Sequence, residues 1–424
     1  MEKQEVDFEN AVVFDKVDIN SSVDWDQEHI RDLGKIEQAV ESINFAFDHG
    51  ARCVVIASHQ GDAGKNESLK LHADALQKLL PEHRVLFAGV RSGDKAREMI
   101  ENAKPGEVIV LENTRTESEE WEHLHPKETK LYKTFAGIDN IAAIKDDPAS
   151  HRKELSSYGL LKQFAEDGKF VTIGPNFIRE AKKAENAEKI LLEKHSYAIL
   201  GGRKFSDLVE ITPQLLKKFP KMDVLVAGLF GIYLDHINGV PMGENKKHID
   251  KEHARALKAS SDGIWGCNEK RLFEFINSNF NGFFRERVSL PHDYHIHLDS
   301  KPVNMPKHDI HKGPVVDIGL NTIKAFQEKI SSKKEGVVLI SGSTGYYEIA
   351  KDKKDPGLLG AVEVYSAAFD PKNGHYSIVI GGDASALLNS LDMNPQMKSS
   401  AGKAFIKRLI HGPFYDCDFV KHTW

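Results

Sequence analysis

Several features are scarce or absent in this 424-residue sequence, and each absence excludes a class of protein. Its three cysteines, at positions 53, 267 and 417, have neither metal-site spacing nor the even number of a disulfide framework, which favours a reducing, cytoplasmic location. Because the formal net charge is -6, we expect no nucleic-acid partner. No run approaches the roughly 18 apolar residues of a membrane span. The acidic start "MEKQEVDFEN" is not typical of a signal peptide.

The sequence does contain a regular alternation of short apolar runs and helical stretches. Between the first runs, Ile36, Val40, Ile43 and Phe47 recur at helical spacing before Gly50, a C-cap signal. Strand–helix–strand order in series predicts parallel pairing with right-handed crossovers. The strand candidates are "AVVFDKVDI", "CVVIASH", "VLFAG", "VIVLEN", "NIAAIKD" and "FVTIG" in the first half, then "SYAILGG", "DVLVAG", "GPVVDIG", "GVVLISGSTG" and "YSIVIGGD".

The length of the chain is natural for two domains rather than one compact core. Gly174 and Pro175 interrupt the pattern, and a charged helix is predicted over residues 176–194. We therefore predict an α/β protein of two doubly wound, Rossmann-like parallel-sheet domains, at residues 1–175 and 195–390.

Glycine loops follow several strand candidates of the second half. In open parallel sheets, ligands collect beyond the carboxyl ends of the strands, where glycine turns expose backbone N–H groups. The repeated occurrence favours a nucleotide or other phosphate ligand over mere tight turns, although no Walker A loop is present. The loops are "GGRKFSD" (201–207), "AGLFG" (227–231), "SGSTG" (341–345) and "GGDAS" (381–385).

Polar and cationic side chains follow the strand candidates of the first half. Arginine pairs bidentately with carboxylate or phosphate, so Arg115 and Arg152 on neighbouring strand ends would clamp a small anion. Asp18 and Asn20 lie on one face of an extended segment, although an Asx turn explains them equally well. Alone, an arginine is usually a surface charge, and His59 fits a buried core histidine. Because all of these polar and cationic residues follow strand candidates, a shared binding site is favoured over unrelated positions.

These loops, in this order, resemble the phosphoglycerate kinase family over nearly the whole chain. The motifs that carry the resemblance are "FDKVDINSSV" for R-x-D-F-N-V-P, "SHQGD" for S-H-L-G-R, "VIVLENTRTESEE" for L-L-E-N-x-R-F, "DDPASHRKELSSYG" for D-A-F-G-x-A-H-R-A-H-A-S-x-x-G, "ILGGRKFSD" for L-G-G-A-K-V-S-D-K, "VVDIGLNT" for L-D-I-G-P-x-T, "LISGSTGYYEI" for W-N-G-P-M-G-V-F-E and "VIGGDASALL" for G-G-G-D-T.

The resemblance implies a cytoplasmic, monomeric glycolytic enzyme that transfers a phosphoryl group between ATP or ADP and the carboxyl group of 3-phosphoglycerate. The first domain would bind the acceptor, residues 176–194 would form a hinge helix for domain closure, the second domain would bind the magnesium nucleotide, and residues 391–424 would pack back on the first domain.

Individual roles follow from the same resemblance. Asp18, Asn20, His59, Arg115 and Arg152 would bind the acceptor, and Lys35, Arg115, Arg152 and Lys204 would act in the transfer itself. Asp383 would bind the magnesium ion and Glu348 the ribose. The remaining implied nucleotide contacts are Gly201, Gly202, Lys204, Gly228, Ser341, Gly342, Gly381 and Gly382.

The sequence departs from the family at positions close to the expected chemistry. Lys35 stands for the arginine that stabilises transfer, Leu208 for a second lysine, and Asp62 for an arginine of the acceptor's phosphate site. Ala384 replaces the threonine after the magnesium aspartate, and Lys403 replaces a glycine. Three readings stay open: a working phosphoglycerate kinase with compensating lysines, a relative acting on another small carboxylic acid, and a non-catalytic ligand-binding paralogue.

Overall fold

A computed structural model describes residues 2–3, 6–61, 67–149, 155–259, 269–299, 301–346, 355–412 and 422–423. Contacts divide the chain into two compact units, one formed by Met1–Lys182 with Phe414–Trp424 and the other by Lys183–Pro413. The division falls within a helix over Pro175–Glu193. No helix in the described ranges has the length and apolar character needed to cross a membrane.

The first unit is built on a parallel sheet. Its strands are β1 Glu2–Lys3, β2 Val12–Val17, β5 Cys53–Ala57, β6 Arg84–Phe87, β7 Glu107–Val110, β8 Ile141–Asp146 and β9 Phe170–Ile173, with β19 His422–Thr423 from the end of the chain. Their order across the sheet is β1-β19-β9-β8-β2-β5-β7-β6. A separate antiparallel pair consists of β3 Val23–Asp24 and β4 His29–Ile30.

Helices cover both faces of this sheet. They are α1 Gly34–Asp48, α2 Lys70–Leu79, α3 Asp94–Glu101, α4 Lys130–Phe135, α5 Ser156–Glu166 and the first part of α6 Pro175–Glu193. One apolar cluster includes Val13 and Ile56 against Ile43 of α1, and the other includes Phe14 against Phe164 of α5. Alternate residues of β2 therefore belong to opposite cores, which explains the continuous apolar runs of these strands.

The second unit contains a parallel sheet and a smaller antiparallel one. Its strands are β10 Ser196–Leu200, β11 Met222–Val226, β12 Val288–Ser289, β13 Asp293–Leu298, β14 Lys301–Pro306, β15 Val315–Ile318, β16 Val337–Ser341, β17 Tyr376–Ile380 and β18 Met397–Ser399. The parallel sheet has the order β12-β11-β10-β16-β17-β18, and the antiparallel sheet has the order β14-β13-β15.

The helices of this unit are α7 Phe205–Lys218, α8 Gly228–Ile237, α9 Lys246–Ala259, α10 Glu269–Ile276, α11 Leu320–Ser331, α12 Pro356–Phe369, α13 Gly382–Ser390 and α14 Lys403–His411, with a π-helix at Asn277–Phe283. The predicted class of two parallel-sheet α/β domains is confirmed. One strand differs from its prediction, because β15 pairs antiparallel with β13 instead of extending the parallel sheet.

Candidate active site

In the first unit, the loops after β2 and β5 meet at the carboxyl edge of the sheet. The Asn20 side-chain amide lies 3.4 Å from His59 Nε2, and its Oδ1 accepts a hydrogen bond from the Gly61 N–H at 3.0 Å. The hydroxyl of Ser58 accepts from the Ile19 N–H at 3.1 Å. Parallel neighbours end at the same edge, so the fold itself brings these loops together.

Lys35, in the first turn of α1, reaches the same edge. Its Nζ lies 2.8 Å from Asp18 Oδ2, while Asp18 Oδ1 accepts from the Asn20 N–H at 3.1 Å. Burial acts to raise the pKa of Asp18, but the Lys35 ammonium and the Asn20 N–H hydrogen bond outweigh it and hold the pKa below its ordinary value. Asp18 is therefore an ionised, oriented acceptor at neutral pH.

His59 is an uncharged member of this group. Burial lowers its pKa to about 3, and the positive charge of Arg115 adds to the effect against the opposing influence of Asp18. The neutral imidazole offers one donor and one acceptor nitrogen. His59 can thus hydrogen-bond an acceptor molecule at neutral pH, but it supplies no positive charge to an anion.

Arg115 enters the site from the loop after β7. Its NH1 donates to the carbonyl of Gly61, its backbone N–H donates to Asn113 Oδ1 at 3.0 Å, and its guanidinium lies 5.7 Å from the ring centroid of Trp121. Gly61 has a φ of +64°, a left-handed conformation that favours glycine. The predicted residues Asp18, Asn20, His59, Arg115 and Lys35 are therefore brought to one edge.

A buried charge cluster at the same edge was not anticipated from the sequence. Lys16 and Lys145 each place Nζ 2.8 Å from a carboxylate oxygen of Asp147, and all three side chains are buried. The Lys145 ammonium also lies 4.5 Å from the ring centroid of Phe177. The sequence did offer a sign of this cluster, because its lysines stand at the ends of two apolar strand candidates. Side chains there are buried on both faces of the sheet, and a buried charge needs a partner.

Three residues predicted from the sequence lie outside the described residues: Asp62 and Arg152 of the expected acceptor site and Glu348 of the expected ribose site. Lys65 and His151, in the same two acceptor-site loops, also lie outside them.

In the second unit, three glycine loops pack backbone against backbone. The Gly202 N–H donates to the Ser343 carbonyl at 2.7 Å, and the Gly228 N–H donates to the Thr344 carbonyl at 2.9 Å. A Cβ atom at Gly201 would lie 2.1 Å from the Ser343 carbonyl oxygen. This packing leaves no room for a side chain. The fold itself therefore requires glycine in the loops that follow the adjacent strands β10, β11 and β16.

The other residues predicted to contact the nucleotide lie along the same edge of the sheet. Gly342 packs against Gly201, because a Cβ atom built on Gly342 would lie 2.3 Å from the Gly201 carbonyl oxygen. The Gly201 N–H donates to the carbonyl of Ser341 at 2.9 Å. Gly381 and Gly382, after β17, have no atom of the described residues within 4 Å of a Cβ built on them, so a ligand can approach this turn closely. The Gly381 N–H itself already donates to the Ser399 carbonyl at 2.9 Å.

Two exposed charges border these loops. Lys204 immediately precedes α7, and Asp383 is the second residue of α13. They follow β10 and β17, which flank β16 in the sheet. No group of three or more potential metal ligands occurs among the described residues.

An apolar cavity opens beside the glycine loops, lined by Leu229, Ile232, Tyr294, Val315 and Thr344 with Asp317 at its wall. Tyr294 donates through its hydroxyl to buried Asp235 at 2.7 Å. Burial raises the pKa of Asp317 to about 8, so this carboxyl is protonated at neutral pH. Sequence reasoning missed this cavity, because its lining comes from strands and helices far apart in the chain.

Lys403 lies close to the Lys204 loop. It begins α14, and its Nζ is 2.5 Å from Asp207 Oδ1 in the first turn of α7. Both side chains are about a quarter exposed, whereas neighbouring Leu208 is buried. The Lys403 ammonium thus contacts the residue before Leu208, the position at which the family resemblance implies a second lysine.

Comparison with known proteins gives one result throughout. A family model described as phosphoglycerate kinase matches residues 3–412. The phosphoglycerate kinase of Methanothermus fervidus is 26% identical over 408 residues, which cover 94% of this chain and 92% of that protein. That of Methanothermobacter thermautotrophicus is 28% identical over 412 residues, covering 96% and 92%.

Solved structures show the same fold. The crystal structure of phosphoglycerate kinase from Pyrococcus horikoshii OT3 matches with a TM-score of 0.74 and 22% identity over 98% of this chain and 97% of that chain. The structure of phosphoglycerate kinase from Coxiella burnetii matches with a TM-score of 0.65 and 21% identity, with the same coverage.

Proposed function

This chain belongs to the phosphoglycerate kinase family, and from that premise we propose that it transfers a phosphoryl group reversibly between ATP or ADP and the carboxyl group of 3-phosphoglycerate. The observation that carries the proposal is the agreement between the family match over residues 3–412 and the meeting of the family-motif residues at the carboxyl edges of both parallel sheets.

The acceptor would bind at the edge of the first unit. Asp18 and Asn20 offer oxygen acceptors to its hydroxyl, neutral His59 offers a hydrogen bond, and Arg115 offers positive charge. Lys35, paired with Asp18 at 2.8 Å, would supply a positive charge to the transferring group. Arg152, outside the described residues, belongs to the same proposed set.

The nucleotide would bind at the edge of the second unit. The uncrowded turn at Gly382 and the N-terminus of α13 suit phosphate oxygens, because the first N–H groups of a helix lack partners within that helix. Lys204 would approach the phosphates, and the base would lie against the apolar side chains beside the glycine loops. A bound magnesium ion would offset the phosphate charge, and exposed Asp383 fits it as a single carboxylate ligand.

For this phosphoryl transfer the protein needs mainly to position the two substrates and to stabilise charge. The acceptor carboxylate, with a pKa of about 3.5, is already ionised at neutral pH and needs no general base. One of its oxygens forms a bond to the γ-phosphorus while the bond from phosphorus to the β,γ-bridging oxygen breaks, leaving ADP and an acyl phosphate. Lysine and arginine side chains stabilise the charge on the transferring group.

Lys403 belongs to this proposal as the cation that compensates for Leu208. The Asp207 carboxylate holds its Nζ at the N-terminal end of α7, three residues after Lys204. Monomeric state, a cytoplasmic location, and hinge bending at α6 are further parts of the proposal that rest on family membership.

A direct assay tests the proposal. We expect the full chain with magnesium, ADP and 1,3-bisphosphoglycerate to form ATP, and Asp383→Asn to reduce the rate by at least about tenfold. Asp250→Asn, which removes an exposed carboxylate of α9 in the same unit, is the matched control and should retain activity. A folded protein whose rate equals that of a no-enzyme blank would refute the proposal.

A further inference from the structure

A buried arginine of the first unit belongs to none of the motifs that carry the family resemblance. Arg91 follows β6, and its side chain is fully buried. Its NH2 donates to Glu120 Oε2 at 2.8 Å, and its NH1 lies 3.4 Å from Glu117 Oε2 and 3.3 Å from Glu119 Oε2. A buried guanidinium is costly unless it is paired, and here all three carboxylates come from one short segment.

The carboxylate of Glu120 extends this network to the start of α5. Its Oε2 accepts hydrogen bonds from the Ser156 hydroxyl at 2.7 Å and from the Ser157 N–H at 3.1 Å, and its Oε1 accepts from the Ser157 hydroxyl. The NH2 of Arg91 also donates to the Ser156 hydroxyl. Glu120 is therefore fixed both to the loop after β6 and to a helix, through a hydrogen-bonded buried network of the kind that holds a single geometry.

The same segment carries an arginine of the proposed acceptor site. Arg115 precedes Glu117 by two positions, and Trp121 directly follows Glu120. The Arg115 guanidinium lies 5.7 Å from the centroid of the Trp121 ring, which is within the range of a cation–π contact. By fixing Glu120, Arg91 also fixes the backbone that presents this ring to Arg115.

The beginning of this loop is held separately. The buried Asn113 side chain accepts from the Arg115 N–H at 3.0 Å and donates to the Gln60 carbonyl at 2.9 Å. Asn113 therefore fixes the backbone of Arg115, whereas the Arg91 network fixes the residues that follow it. The orientation of the side chain matters, because a guanidinium binds carboxylate or phosphate through a planar, two-pronged set of donors.

We propose that Arg91 is a positioning residue of the acceptor site, which orients the Arg115 guanidinium through the Glu120 carboxylate and the Trp121 ring. The inference rests on the proposed function, in which Arg115 binds 3-phosphoglycerate. It deepens that function by adding a residue that is fully buried and acts only through its neighbours.

The test compares Arg91→Lys with the unchanged protein by calorimetric titration of 3-phosphoglycerate and, separately, of Mg-ADP. Lysine keeps the positive charge but loses the fork that contacts Glu117 and Glu120 together. We expect the Kd for 3-phosphoglycerate to rise about 3- to 10-fold. The Kd for Mg-ADP should stay within about twofold, because the nucleotide would bind in the second unit.

A second background separates positioning from a general effect on folding. A lysine ammonium is a point charge on a flexible stem, so its attraction for an anion depends little on orientation. In an Arg115→Lys protein, Arg91→Lys should therefore raise the Kd for 3-phosphoglycerate by less than about twofold. A purely structural role of Arg91 would instead raise the Kd by the same factor in both backgrounds.

Arg84→Lys is the matched control, because Arg84 lies in β6 and its exposed guanidinium is paired with Glu107 at 3.2 Å. Its Kd values should equal those of the unchanged protein. Glu117→Gln is a second, milder variant, since the Glu117 side chain is about one third exposed and makes one of the contacts to Arg91. It should raise the Kd for 3-phosphoglycerate in the same direction by a smaller factor, in a protein whose folding is checked by circular dichroism.

The outcomes separate the inference from the proposed function, because binding is measured without turnover. A rise in the Kd for 3-phosphoglycerate that depends on Arg115 supports the inference even if no variant forms ATP. An unchanged Kd, an equal rise in both backgrounds, or an equal rise for Mg-ADP would overturn the inference and leave the proposed function standing. If the unchanged protein bound no 3-phosphoglycerate, both would be overturned.

Discussion

At the residue scale, the two proposed binding edges differ in how their charges are arranged. In the first unit the described cations are already engaged, Lys35 with Asp18 and Arg115 with the Gly61 carbonyl. In the second unit Lys204 is exposed, and Lys403 is held by Asp207. Since charge on the transferring group must be stabilised only while it develops, a lysine held nearby by a carboxylate can serve that purpose.

Lys403 gives a prediction at this scale. We expect Lys403→Met to lower kcat about 10- to 100-fold with a smaller change in the KM for nucleotide, because the charge acts mainly on the transferring group. Lys403→Arg should keep more activity than the methionine variant. Steady-state kinetics of the purified proteins provide the measurement.

The control for Lys403 is Lys398→Met, which removes a lysine of β18 whose Nζ contacts Asn389 at 2.7 Å. It should leave kcat within about twofold, as expected for a surface charge outside the site. Equal losses in the Lys398 and Lys403 variants would show that general charge, and not this ammonium, affects the rate.

At the element scale, the sequence predicted the strands of the parallel sheets, but it predicted only part of the pairing between strands. Buried on both faces, β5 and β16 show as continuous apolar runs in the sequence. The run that became β15 looks the same, yet it pairs antiparallel with β13, because an apolar run does not specify the direction of its neighbour. The hairpin of β13 and β14 was missed, since its histidines and prolines interrupt the apolar pattern.

The candidate site was predictable where it depends on strand ends and unpredictable where it depends on distant contacts. Asp18, Asn20 and His59 follow strands, so topology alone brings them to one edge. The Asn113 side chain, by contrast, donates to the carbonyls of Gln60 and Glu67 in a distant loop, and no local pattern encodes such contacts. A buried carboxyl group between a strand and a helix of the second unit likewise depends on distant contacts.

That buried acid is Asp317 of β15, packed against α12. Its Oδ2 accepts from the Gly360 N–H at 2.7 Å and its Oδ1 from the Ile318 N–H at 2.8 Å. A Cβ at Gly345 or at Gly360 would lie 2.5 Å from Asp317, so both glycines are needed to admit the carboxyl. Burial is the main reason that its pKa is raised to about 8.

The pKa of Asp317 predicts a pH dependence of stability. The folded protein keeps a proton that the unfolded chain releases near pH ~3.9, so the free energy of unfolding falls as pH rises toward 8, by at most about 1.4 kcal/mol per pH unit. Asp317→Asn should flatten this slope between pH 5 and 8, even if it lowers stability overall. Urea unfolding curves at several pH values measure the slope.

Asp250→Asn controls for loss of an exposed carboxylate in the same unit and should leave the slope unchanged. Comparing slopes also isolates Asp317 from Asp146 of the first unit, whose pKa burial raises to about 6. Parallel curves for the Asp317 variant and the unchanged protein would mean that this carboxyl does not hold a proton at neutral pH.

At the scale of the whole molecule, each unit has its own parallel sheet and its own buried core. The first encloses clusters on both faces of its sheet, and the second packs α11 and α12 on β10 and β16. Each unit also presents its own set of loops at a carboxyl edge. A ligand specific to one unit should therefore stabilise that unit by mass action, whatever the state of the other.

Amide hydrogen exchange can locate the two ligands separately. With Mg-ADP at about a hundredfold excess over its Kd, we expect peptides covering residues 201–204, 342–345 and 381–383 to exchange more slowly, with up to about 2.7 kcal/mol of added protection. With the acceptor alone, protection should appear in peptides covering 18–20, 59–61 and 113–115. Asp383→Asn should weaken the first pattern and preserve the second, because it removes only the proposed magnesium ligand. Protection of the same unit by both ligands would contradict the assignment of one ligand to each sheet.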